Sequence, residues 1–202
     1  MKIVIIGAGL GGLECGFLLS KQGHEVCVLE KNPQVGGCLQ SFRRHGQTFD
    51  TGVHYVGGLG EGEILHALFE PFGLNQLPWQ PLDRDNFDEI IYQGETFSFV
   101  NGYDEFAEKM TAYFPHQKEE IAQYVHLLRK SQEGLQNLFG NGSEMSSSAE
   151  LLSRSAYHYM QTIFSDERLR NILSGTSLKM ELSPQLPLYI FAQTNGTFIQ
   201  SA

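Results

Sequence analysis

Apolar and polar positions alternate along this chain with two periods, and the switch between them marks the elements. Lys2-Ile3-Val4-Ile5-Ile6 is a nearly continuous apolar run, which predicts a strand buried on both faces of a parallel sheet. Leu10 to Gln22 takes up helical spacing through Leu13, Phe17 and Leu18, Gly23-His24 ends it, and Glu25 to Glu30 predicts a second strand with Cys27 directed into the core. Arg43 to Gln47 reads as a hairpin turn feeding a strand through Phe49. Glu61 to Glu70 is a helix stopped by Pro71 and Gly73, and Pro78 to Pro81 is a turn or linker. Ile90 to Tyr92 and Thr96 to Val100 form a hairpin across Gln93-Gly94-Glu95. Beyond it the period is helical: Glu105 to Phe114 capped by Asp104, then His116 to Phe139 with Pro115 in its first turn. Ile121, Tyr124, Val125, Leu128, Leu135 and Leu138 line one face of that long helix, where core is the plainer account than a membrane or tunnel face. Gly140 to Ser148 reads as a polar loop, Tyr157 to Phe164 and Asp166 to Leu173 as short helices, and 183–202 carries no assigned element.

The glycines convert this pattern into chemistry. Gly7-Ala8-Gly9-Leu10-Gly11-Gly12 sits between the first strand and the first helix, the context that gives a G-x-G-x-x-G its meaning. Gly7 allows the tight turn, Gly9 clears the backbone for a pyrophosphate, and Gly12 lets the helix lie close on the sheet. The helix start offers unpaired N–H groups and partial positive charge to phosphate. Glu30 ends the second strand eighteen residues after Gly12, where a carboxylate can accept from both ribose hydroxyls and repel a 2′-phosphate. Gly36-Gly37, six residues later, adds a second point of close backbone approach, with Cys38 beside it. Expected cofactor contacts are therefore Gly7, Gly9, Leu10, Gly12, Glu30, Lys31, Gly36, Gly37 and Cys38.

Composition narrows the partners. A net charge of −9 without a Lys/Arg cluster argues against nucleic acid, and 41% hydrophobic with 18% charged residues marks a globular chain. No apolar run approaches a membrane span. Three unpaired-type cysteines (Cys15, Cys27, Cys38) and a start without a cleavable signal suit a reducing cytoplasm. The seven histidines are scattered and suggest no metal site. Arg43 or Arg44 beside a pyrophosphate is an option, solvated arginines the plainer account.

With Gly36-Gly37 the chain resembles the flavoproteins with two dinucleotide-binding motifs, among them amine oxidases, phytoene desaturases, carotenoid isomerases and retinol saturases. Phe49-Asp50-Thr51-Gly52-Val53-His54-Tyr55-Val56-Gly57 resembles the F-D-x-G-x-H-Y-x-G segment of the retinol saturase and carotenoid isomerase branch. The resemblance implies flavin contact by Thr51, Gly52, Val53 and His54, and makes His54 the candidate catalytic group, against a structural histidine as the plain alternative. It implies an α/β fold: a Rossmann-like FAD/NAD(P)-binding β-α-β core (1–60) followed by an α+β substrate-side region (61–202). Family members are longer and return to complete the sheet, so the chain is expected to be the N-terminal portion of a larger two-domain flavoprotein.

The function this implies is FAD-dependent oxidation or reduction of C=C bonds in an apolar polyene or isoprenoid, with NAD(P) as electron donor elsewhere in the full-length enzyme. Peripheral membrane contact would give access to such a substrate, and an open sheet edge would permit a homodimer. A flavin amine oxidase-like enzyme is one alternative. A non-catalytic nucleotide-binding piece lacking the flavin half is another, and an NAD-binding module a third.

Overall fold

The computed structural model describes residues 1–139, 145–175 and 183–202, which form two compact units, Met1–Tyr55 with Glu70–Leu74 and Val56–Phe69 with Asn75–Ala202.

In the first unit β1 (Lys2–Ile6), α1 (Leu10–Lys21) and β2 (Glu25–Leu29) make a β-α-β turn, with β1 parallel to β2 and Ile3 opposite Val26, Ile5 opposite Val28. Gly16 of α1 lies on Val28, Ile5 and Val26, so the helix covers that face of the pair. The opposite face is open: Val4 is 62%, Ile6 87% and Leu29 51% exposed, and Cys27 is exposed with them. This corrects two expectations, a strand buried on both faces and Cys27 in the core. Side chains alternate across a strand, and a single helix shelters one parity. The apolar run reported burial that no described element supplies.

β3 (Ser41–Arg44) and β4 (Gln47–Asp50) form the expected hairpin, turning at His45 and Gly46 with φ of 51° and 78°. Both central residues being left-handed matches the twist of a two-residue hairpin. The Phe42 and Phe49 rings stack at 5.3 Å on its exposed surface. Residues 70–74 return to the end of α1, where Phe72 packs on Phe17 (5.5 Å) and Lys21 Nζ donates to the Pro71 carbonyl (3.2 Å).

The second unit contains α2 (Ile64–Phe69), the antiparallel β5 (Asp88–Tyr92) and β6 (Glu95–Phe99), α3 (Tyr103–Tyr113), α4 (Lys118–Phe139), α5 (Met145–Ser153), α6 (Ala156–Ile163), α7 (Glu167–Leu173) and α8 (Leu188–Gln200). Its core joins Phe99 of β6, Phe106 of α3, Tyr124 and Leu128 of α4, Leu169 of α7 and Phe191 of α8, all fully buried. Each such side chain stabilises the fold by roughly 1.5–3 kcal/mol relative to exposure. Ile121, Tyr124, Val125 and Leu128 are buried as the helical stripe predicts, so that part of the stripe is core; the side chains of Leu135 and Leu138 lie outside the described residues. Asp166, expected as the first residue of a short helix, instead caps α7, accepting from the Arg168 and Leu169 N–H groups at 2.9 and 3.1 Å.

Three elements differ from the sequence expectation. Asp104 is not the cap of α3; Gly102 precedes the helix, and Asp104 pairs with Arg129 at 2.7 Å. Met145–Ser148 open α5 where a loop was expected, while 140–144 of that loop lie outside the described residues. Most consequential is α8, which no local signal marked. Leu188, Phe191, Ala192, Asn195 and Ile199 are buried on it, and its end collects distant backbone. Asn101 Nδ2 donates to Phe198 O (2.8 Å), Gly102 N to Ile199 O (2.7 Å), Gly58 N to Ser201 O (3.1 Å) and Leu82 N to Ala202 O (3.2 Å). A Cβ on Gly57 would strike the Thr197 carbonyl.

Candidate functional site

The glycine-rich turns of the first unit are built on one another. Gly7 (φ 101°) donates its N–H to Leu29 O at 2.7 Å, locking the turn after β1 to the end of β2. Gly36 donates to Ala8 O at 2.7 Å, and Gly9 pairs with Gly36 as a parallel bridge. Gly36 and Gly37 have φ of 112° and 58°, and a Cβ on Gly37 would lie 3.0 Å from Gly9 Cα. The double glycine is thus required by contact between two turns of the protein itself. The chain continues through Gly37–Leu39 as a short 3-10 turn, to which Thr51 is clamped. Its N–H donates to Gln40 O at 3.1 Å and its hydroxyl reaches Gln40 O (2.6 Å) and Cys38 O (3.1 Å). A Cβ on Gly52 would sit 2.6 Å from Cys38 O. Fingerprint, double glycine and Thr51-Gly52 form one backbone assembly.

Glu30 bolts the third signal to the first. Its Oε2 accepts from the Ala8 N–H at 2.8 Å, and its Oε1 from the Asn32 N–H and Nδ2–H at 2.9 and 3.0 Å. These hydrogen bonds, Ala8 first and Asn32 next, hold the carboxyl below its ordinary pKa. A carboxylate offers about four lone-pair sites, and with three taken by these donors and the Lys31 N–H adding to their effect, at most one remains for an incoming hydroxyl. Acceptance from both ribose hydroxyls, the sequence expectation, would require the Asn32 amide to yield its place.

Gly9 and Gly12 have opposite constraints. A Cβ on Gly12 would collide with the Gly7 carbonyl oxygen, so helix packing alone demands glycine there. Gly9 has φ −76° and ψ −178°, open to any residue, and its Cβ would meet nothing closer than Gly37 Cα at 3.9 Å. The fold leaves clear space there, at the N-cap of a helix with no side-chain cap and no acidic residue in its first turn. Such a helix start presents N–H groups and positive partial charge to an anion.

The remaining expected residues face solvent. Leu10, Lys31, Cys38, Thr51, Val53 and His54 are exposed, and Arg43 and Arg44 are exposed on the hairpin. Missed in the sequence were buried Ala8, whose N–H and carbonyl bind two other segments, and Asn32 and Gln40. Asn32 carried a faint signal, since Asn two residues past a strand-ending acid is placed for a local side-chain hydrogen bond. Among the described residues no group of His, Cys, Asp or Glu is arranged to hold a metal ion, and no helix is long and apolar enough to cross a membrane. In the second unit a groove of about 530 Å³ is lined by Glu120, Arg154, His158 and Tyr159 among others; burial of Tyr159 pushes its hydroxyl up to about 12. It contains none of the dinucleotide signals.

Known proteins resemble this chain in sequence and fold. Residues 5–72 match the model of an NAD(P)-binding Rossmann-like domain. The chain is 33% identical to all-trans-retinol 13,14-reductase of Rattus norvegicus over 139 residues, covering 67% of this chain and 23% of that protein. It is 26% identical to the 4,4'-diapophytoene desaturase (4,4'-diaponeurosporene-forming) of Staphylococcus haemolyticus over 200 residues, 92% of this chain and 39% of that one. The solved structure of an oxidoreductase from Methanosarcina mazei superposes with a TM-score of 0.58 at 20% identity, over 100% of this chain and 44% of that one, which speaks to fold. The chain spans about a quarter of the length of the retinol reductases it matches. Residues 5–72 thus match an NAD(P)-binding Rossmann-like domain, and the chain is homologous to the retinol 13,14-reductases and diapophytoene desaturases over part of their length.

Proposed function

We propose that the first unit binds the adenosine half of FAD, and that the protein acts within an FAD-dependent oxidoreductase working on C=C bonds of an apolar polyene or isoprenoid. The observation that carries the nucleotide part is Gly9: backbone angles and packing both tolerate a side chain there, so the fold does not call for glycine, and close approach of a ligand accounts for it. The pyrophosphate would lie over Gly9 at the start of α1, and one ribose hydroxyl would donate to Glu30. FAD rather than NAD is supported by the resemblance of Phe49–Tyr55, and the substrate class by the retinol and diapophytoene in the relatives' names. Bound flavin would supply hydride exchange with carbon; this chain's residues orient the dinucleotide and bring Thr51-Gly52 beside the Cys38–Gln40 turn. The exposure of Thr51 to His54 favours a second reading for these 202 residues alone, a nucleotide-binding unit whose flavin half needs further chain.

The test is to mix this chain with FAD, desalt it and record the visible spectrum. A retained flavin band is expected for the wild type and none for Gly9→Asp, with unchanged circular dichroism in both. A colourless wild type that still binds ADP would favour the second reading. Undiminished FAD retention by Gly9→Asp would place the site elsewhere.

A further inference from the structure

Neutral donors converge on Glu30: the Ala8 N–H and two donors of Asn32 lie within 3.0 Å, and the Lys31 N–H adds to their effect. Among the described residues no lysine or arginine is paired with this carboxylate. Lys31, the adjacent cation, is exposed. That combination matters for recognition. A cationic partner would fix the carboxylate but cancel its charge, whereas amide donors fix it and leave the charge whole.

Resting on the dinucleotide reading above, we propose that Asn32 is a positioning residue that sets the choice of ribose: it holds Glu30 as a fixed, uncompensated anion, so that the turn after β2 takes an unmodified adenosine ribose and rejects a 2′-phosphorylated one. The Ala8 N–H anchors one oxygen to the fingerprint turn and Asn32 anchors the other, leaving the carboxylate a defined direction and at most one open acceptor site. A hydroxyl donor fits that site. A phosphate meets a second anion at short range, and no lysine or arginine among the described residues is paired with that anion to offset the repulsion. An NADPH donor would accordingly bind elsewhere.

The experiment uses two probes that differ by the 2′-phosphate alone, 5′-AMP and adenosine 2′,5′-bisphosphate, titrated calorimetrically into the full chain. The wild type is expected to favour 5′-AMP by about tenfold or more. Asn32→Ala should weaken 5′-AMP about three- to tenfold and narrow the preference. Asn32→Arg should abolish or invert it, because the guanidinium both pairs with Glu30 and welcomes phosphate. In the absence of nucleotide, carboxyl ¹³C NMR should show the Glu30 titration moving to higher pH in Asn32→Ala. Thermal melting establishes that each variant is folded. If Asn32→Ala keeps the wild-type preference, the positioning role is overturned while the nucleotide site stands, whether or not the Glu30 titration moves. If the wild type binds neither probe, the dinucleotide reading falls and this inference with it.

Discussion

The first unit keeps its functional turns in place by backbone contact; the second keeps its helices in place by side-chain burial. Among the described residues Ala8 is the one buried apolar side chain of the first unit, while the others, from Phe87 to Ile199, belong to the second. In the first unit Gly7, Gly12, Gly36, Gly37 and Gly52 each satisfy a steric or dihedral demand of a turn. The turns of the first unit are therefore shaped by missing side chains, and the core of the second by present ones. The two kinds of residue should fail differently when changed.

The largest effect is expected from the second unit's core. Phe191→Ala, at a fully buried position on α8, should cost about 3–5 kcal/mol in denaturant unfolding. A cost under 1 kcal/mol would mean that α8 is not integral to that core. Next is Gly12→Ala, which forces a methyl into the Gly7 carbonyl; it should cost about 1–3 kcal/mol or more, and FAD or ADP binding with it. Gly9→Asp provides the contrast, losing binding at unchanged stability. Should the two variants melt alike, the distinction between a packing glycine and a ligand glycine collapses. The smallest effect belongs to the open sheet face. Ile6→Ser, at 87% exposure, should change stability by no more than about 0.5 kcal/mol despite removing a large apolar side chain from a strand. A larger loss would show that something covers this face in solution.

Sequence legibility follows the same division. The β-α-β turn, both hairpins and the stripe of α4 were readable because each carries a local cause: a glycine with positive φ, an apolar period, a turn dipeptide. Gln93-Gly94 turns with φ of 52° and 83°, as a two-residue hairpin requires. α8 was not readable because its residues argue against it. Thr194, Asn195, Gly196, Thr197 and Ile199 are poor helix formers, and burial against the rest of the unit overrides that preference. Asp104 misled in the other direction: its type suits a cap, yet Gly102 begins the turn and Arg129 engages the carboxylate. At the site, the glycines and Glu30 announced themselves, while Asn32 and Gln40 act through hydrogen bonds that depend on how distant turns meet. The double glycine was legible as close approach, but the approaching partner is Gly9 itself.

The carbonyls at the end of α8 have a kinetic consequence. The amides of Gly58, Leu82 and Gly102 lie far apart in the chain, yet all donate to residues 199–202. Their exchange with deuterated water therefore reports one event, the release of that last turn, and under native conditions the three should share a common opening free energy. Loops that carry no regular structure of their own would then exchange as a single cooperative unit.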